Sequence, residues 1–126
     1  MTKAPPVEQQ PEVHLENWVV ARVGPDRFGR KFYTLVGIPV ETDRMRMTTD
    51  VQTFDPAHRT AVTLSGRTYR LVGEERLAEP HADTFPMIRQ YCYGHGIPHE
   101  MVDLVPLAEL EASVPAPSAP AAPWRH

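Results

Sequence analysis

The residues best suited to chemistry gather late in the sequence: Cys92, His95, His99 and Glu100, with His81 and Asp83 upstream. Read as Cys-x2-His-x3-His, the set Cys92, His95 and His99 offers a thiolate and two imidazoles, donors that zinc accepts at tetrahedral distance. Strong zinc signals use paired short spacings, and this chain has a single cysteine. Packing of a lone buried Cys92 against a sheet therefore competes with ligation. Zinc is permitted by these residues, and no cofactor is required. The same thiol could serve as a nucleophile with His81, His95 or His99 as its base. Its place near the end of an expected helix argues against that role, because the dipole there raises a thiol pKa.

Other reactive patterns are weaker. The carboxylate pairs Glu74-Glu75 and Glu109/Glu111 fall on polar segments, where solvation keeps them ordinary acids. Gly24-x4-Gly29-Arg30-Lys31 has the outline of a phosphate loop. It lies between two extended stretches, opens no helix and lacks the Lys-Ser/Thr ending, so that reading is rejected. What remains is a basic and aromatic set: Arg22, Arg30, Lys31, Arg44, Arg46, Arg67 and Arg70, with Trp18, Tyr33 and Tyr69. Cationic rims around stacking faces are how small β-barrels hold single-stranded nucleic acid, and Arg30, Lys31, Tyr33 and Tyr69 would carry that function. Alternatively, Trp18 and Tyr69 are core and the arginines are the polar side of half-buried strands, protecting sheet edges.

These residues need a scaffold, and the alternation of apolar and polar residues supplies one. Residues 15–23 are apolar at both parities, which fits a strand covered on both faces. Gly24-Pro25-Asp26 ends it. A second extended stretch runs over 28–40, where Gly37 marks a bulge or bend and Pro39 limits pairing. The clearest signal is a meander. Met45, Met47, Thr49, Val51 and Thr53 alternate with Arg44, Arg46, Thr48, Asp50 and Gln52; after a turn at residues 54–58, Thr60, Val62 and Leu64 alternate with Ala61, Thr63 and Ser65, and beyond a Ser65-Gly66 hairpin turn Thr68–Val72 alternates again. Spacing predicts a helix over 84–93, capped by Asp83 or Thr84 and stopped by Gly94. Residues 100–110 read as a short strand and then a helical turn begun at Pro106.

Composition bounds the rest. The 126 residues include 14 prolines and carry a net charge of −3. The ends read as disordered: a polar tail over 1–14 and an Ala/Pro-rich tail over 113–126, flanking one globular domain at 15–112. With one cysteine, no apolar run in residues 1–14 and no stretch near the ~20 apolar residues needed to span a bilayer, a cytoplasmic protein without membrane contact is expected. The fold expected is α+β: a small antiparallel β-barrel or curled sheet, SH3-like or OB-like, with one packed helix. No catalytic constellation stands out, so the expected function is a non-enzymatic adaptor that engages a larger protein. Arg44, Arg46, Arg67 and Arg70 on the meander would make the contact, together with Trp124 as an aromatic anchor in the tail. Nucleic-acid binding and metal binding are the alternatives.

Overall fold

The computed structural model describes residues 10–117. Its elements in chain order are β1 (Glu12–Val23), β2 (Phe32–Pro39), β3 (Arg46–Met47), β4 (Val51–Asp55), β5 (Thr60–Thr63), β6 (Thr68–Leu71), α1 (Thr84–His95), a 3₁₀ turn (His99–Met101), β7 (Val102–Val105) and α2 (Leu107–Ser113). The seven strands form one mixed sheet in the order β3-β2-β1-β6-β5-β4, with β7 also paired to β1. The fold is α+β, as expected, but the sheet is neither closed nor strongly curled. A barrel requires its edge strands to meet, whereas β3 and β4 lie at opposite ends of the strand order. The expected SH3-like or OB-like barrel is thus replaced by an open sheet.

β1 organises this sheet. Along one edge it pairs antiparallel with β2. Along the other it is shared: Glu12–Leu15 run parallel to Thr68–Leu71, and Val20–Val23 run antiparallel to Val102–Val105. Between those halves the register with β2 shifts, from Glu16 to Val19, and Asn17 takes a positive φ of 51°. Asparagine tolerates this left-handed conformation better than most side chains. The bulge is pinned from outside: Arg76 Nη1 donates to Asn17 Oδ1 at 2.7 Å, and the Arg76 amide donates to the Trp18 carbonyl at 2.8 Å. Gly37 on β2 faces it. A Cβ there would meet Leu15 Cγ at 2.7 Å and Trp18 Cβ at 2.9 Å. The glycine seen in the sequence therefore permits close approach of β1 to β2.

Both faces of β1 are buried, which explains its apolar residues at both parities. One face packs Val13, Leu15, Trp18 and Val20 with Tyr33, Leu35 and Leu110 of α2. The opposite face packs Val19, Ala21 and Val36 with Ile88 and Cys92 of α1. The helices thus cover opposite sides of the sheet. Each fully buried large apolar side chain contributes about 1.5–3 kcal/mol, so β1 concentrates much of the hydrophobic stabilisation.

The meander is present as β4-β5-β6, antiparallel throughout. Its first strand is shorter than the alternation suggested. Residues 46–47 pair with β2, and Thr48 continues that attachment by donating its amide to the Leu35 carbonyl at 2.9 Å. Only from Val51 does the chain join β5. The Gly66 turn is as read, with φ of 89°. α1 extends to His95 because Gly94 stays helical and Gly96 takes the left-handed cap, φ 65°. Neither Asp83 nor Thr84 makes the expected side-chain cap.

The ends are also more ordered than expected. Residues 12–14 belong to β1, and Val13 is fully buried. At the other end, Val114 packs against the core and the Pro115 carbonyl accepts the Phe54 amide at 3.0 Å, covering part of the outer edge of β4. The remainder of both tails, Trp124 included, lies outside the described residues.

Candidate functional site

The meander arginines do not form one exposed face. Arg67 is buried, at 5% exposure, and its Nε donates to the Gln10 carbonyl at 2.9 Å. Arg46 is half-buried; it donates to the Tyr69 hydroxyl at 3.2 Å and to Gln10 Oε1 at 3.1 Å, with its guanidinium 5.9 Å from the Tyr69 ring centre. These residues fasten the segment entering β1. Arg44 and Arg70 are exposed, and Arg70 reaches Glu12 at 3.4 Å. The expected four-arginine contact face is corrected accordingly: period-two alternation gives the side a residue faces, but not the chain segment that covers that side.

The nucleic-acid set divides in the same way. Arg30 and Lys31 are exposed, whereas Tyr33 and Tyr69 are buried and offer no stacking face. The Tyr33 hydroxyl donates to Glu109 Oε2 at 2.9 Å and lies 3.0 Å from Ser113 Oγ. Arg22 joins this group, donating from Nη1 to Glu109 and from Nη2 to Asp103, each at 2.9 Å. The Tyr33 and Arg22 hydrogen bonds hold the Glu109 carboxyl below the usual carboxylate range. The whole group clamps α2 to β1 and β2, and β7 to β1. Glu109 is therefore a half-buried structural acceptor and not the solvated acid that its sequence neighbourhood suggested. Glu75 likewise accepts the Leu107 amide at 2.9 Å.

The late cysteine–histidine set does not converge. Cys92 is buried in the α1 contact with the sheet, and burial pushes its thiol pKa up. His95 stacks on Tyr91 with ring centres 4.1 Å apart and places Nδ1 2.8 Å from the Tyr91 carbonyl. His99 sits exposed in the 3₁₀ turn beside Glu100. Among the described residues, no group of three or more His, Cys, Asp and Glu side chains is placed to hold a metal ion.

Among the described residues, a basic and aromatic grouping presented to solvent lies on the loop between β1 and β2. Asp26 shapes this loop. Its Oδ1 accepts the amides of Phe28 at 2.8 Å and Arg30 at 2.9 Å, and its Oδ2 accepts Arg30 Nε at 2.9 Å. The Arg30 amide is the foremost cause of the low Asp26 pKa, with the Phe28 amide and the Arg30 side chain adding to it. Backbone bonds close the loop from Asp26 N to Arg30 O at 2.9 Å and from Gly29 N to Asp26 O at 3.0 Å. Gly24, at φ 100°, lies so close to Arg30 that a Cβ would stand 2.6 Å from its carbonyl oxygen. The loop is anchored below by Gly24 N donating to Met101 O at 2.8 Å.

Phe28 projects from this frame with 67% of its surface exposed. The guanidinium carbons of Arg27 and Arg30 each lie 4.9 Å from its ring centre. Cation–π attraction of this kind contributes about 0.5–1 kcal/mol at an exposed site and orients the ring. Lys31 follows, also exposed.

The chain matches no family model, no curated protein and no solved structure.

The loop holds an apolar ring and three cations in a fixed arrangement, a combination that suits recognition of an acidic surface. Sequence reasoning placed Phe28 at the start of a strand and so missed it. The available signal was Asp26, whose short carboxylate is well suited to folding back onto the amides two and four residues later.

Proposed function

We propose that this protein is a non-enzymatic binding module that engages a larger protein through the β1–β2 loop. The observation that carries this reading is Phe28, a large exposed aromatic held by Arg27 and Arg30 on a loop that Asp26 rigidifies. Exposed aromatics flanked by arginine are favoured anchors at protein interfaces, and a preordered loop loses little entropy on binding. Two of the groups singled out for chemistry are engaged within the fold: Glu109 holds α2, and Cys92 packs under α1.

Single-stranded nucleic acid is the less supported partner, because Tyr33 and Tyr69 are buried and the ring of Phe28 is already engaged by guanidinium groups. The test is capture of partners from native cell extract, with and without nuclease treatment, by the full chain and by Phe28→Ala. Protein captured after nuclease treatment and lost with Phe28→Ala supports the reading. Capture of nucleic acid alone, or a protein partner indifferent to Phe28, overturns it.

A further inference from the structure

The outer edge of β4 is closed by a segment that accepts a hydrogen bond but has none to return. A strand residue directs its N–H and C=O to the same side, and neighbouring residues alternate. The Phe54 amide points away from β5 and donates to the Pro115 carbonyl at 3.0 Å, so the Phe54 carbonyl faces outward as well. A paired strand would donate an N–H back to that carbonyl. In an antiparallel arrangement the donor would be residue 115; in a parallel one it would be residue 117, two places beyond the acceptor. Both are proline and lack an N–H. Among the described residues, no loop or tail amide reaches the Phe54 carbonyl. We infer that residues 114–117 are a displaceable strap, and that the edge beneath them is a latent pairing surface for β4 of a second copy of this chain.

A second copy is the occupant because this edge complements itself. In an antiparallel two-fold arrangement centred on Phe54, the two Phe54 residues face each other and exchange both backbone bonds, so the acceptor that the strap leaves over is filled. The same register sets Asp55 of one copy opposite Thr53 of the other, and like charges do not meet across the pair. The strap competes by proximity. Besides the Phe54 bond, it is held by Val114, which packs against the core with extended backbone at φ −112° and ψ 148°, whereas residues 115–117 are exposed. Val114 directly follows α2, so the strap meets β4 at an effective concentration on the order of millimolar, which a second copy does not reach unaided. Covering an edge with a segment that cannot continue the ladder is also how sheets avoid uncontrolled pairing.

The experiment compares the unaltered full chain with full-length Val114→Asp, which unseats the strap, by sedimentation over a range of concentrations and by residue-resolved amide exchange. Circular dichroism checks that the variant is folded; if it is not, the milder Val114→Ser takes its place. The unaltered chain should be monomeric. The unseated variant should dimerise about tenfold more tightly or better, with its Phe54 amide gaining protection as concentration rises. A full-length chain carrying both Pro115→Ala and Pro117→Ala regains the missing donors. Its Phe54 amide should exchange about fivefold more slowly than in the unaltered chain, as one further hydrogen bond would produce. An unseated variant that stays monomeric overturns the inference, as does a dimer whose Phe54 amide gains no protection. Dimerisation of the unaltered chain through Phe54, or Phe54 exchange that the double proline replacement leaves unchanged or makes faster, overturns it as well.

Discussion

The two ends of β1 use the same residue types to opposite effect. At its beginning, Arg46 lies over Tyr69 and Arg67 donates to Gln10, so that arginine and aromatic are sealed between segments of the same chain. At its end, Arg27 and Arg30 lie over Phe28 at a shorter distance, yet ring and cations face solvent. The difference lies in what covers each pair. The first is covered because residues 10–15 run alongside β6. The second projects beyond the last rung of the β1–β2 ladder, Val23 with Phe32, where no strand continues. An arginine beside an aromatic ring therefore has no fixed meaning; its role follows from whether another segment passes over it.

That contrast can be broken experimentally at several points. The largest effect is expected for Arg67→Ala, which removes a buried charged donor and leaves its acceptors unpaired. It should cost about 2–4 kcal/mol in urea unfolding. Native-state hydrogen exchange should show the amides of residues 12–15 losing protection first. Gly37→Ala comes next, at about 1–3 kcal/mol of overpacking against Leu15 and Trp18, read as a lowered thermal midpoint. A midpoint unchanged by that substitution would contradict the close approach at the bulge.

Glu109→Gln should destabilise by about 1–2 kcal/mol through its hydrogen bonds to Arg22 and Tyr33. The same pair predicts a pH dependence. Because the folded-state pKa of Glu109 is depressed, its stabilisation is present above the ordinary glutamate value of about 4.3 and is lost as pH falls through the lower folded value. Chemical denaturation between neutral and strongly acidic pH should therefore show a loss of stability on acidification that is smaller in the Gln variant. The smallest stability effect, about 0.5–1 kcal/mol, belongs to Phe28→Ala, which loses the cation–π attraction of Arg27 and Arg30. Its signature should be loss of partner capture with an unfolding curve shifted only slightly, the inverse of Arg67→Ala.

The same contrast shows how far the sequence could be read. The β4-β5-β6 meander was legible because its turns are local: Gly66 and the segment after Asp55 act within a few residues of the strands they join. α1 was legible from apolar spacing, apart from a C-terminus that Gly96 sets two residues later than expected. Residues 12–14 were not legible as strand. Their pairing partners begin at Thr68, and nothing beside Val13 announces that its neighbour will be Tyr69. The single run read over 44–53 divides because Met47 pairs with Val36 while Val51 pairs with Thr63, a choice made by two distant strands. For the site, Arg30 and Lys31 are exposed, and the aromatic beside Arg30 at the surface is Phe28, because Tyr33 is enclosed beneath α2.

The division of β1 between β6 and β7 also has a consequence for synthesis. β1 leaves the ribosome early, yet Val20 pairs with Val105 and Ala21 with Leu104. Until those late residues appear, the second half of β1 has an unfilled edge and apolar side chains on both faces. Long-range pairings of this kind form slowly and leave nascent chains open to aggregation. Chains that stop before β7 should therefore accumulate as insoluble material, even though the meander is complete in them.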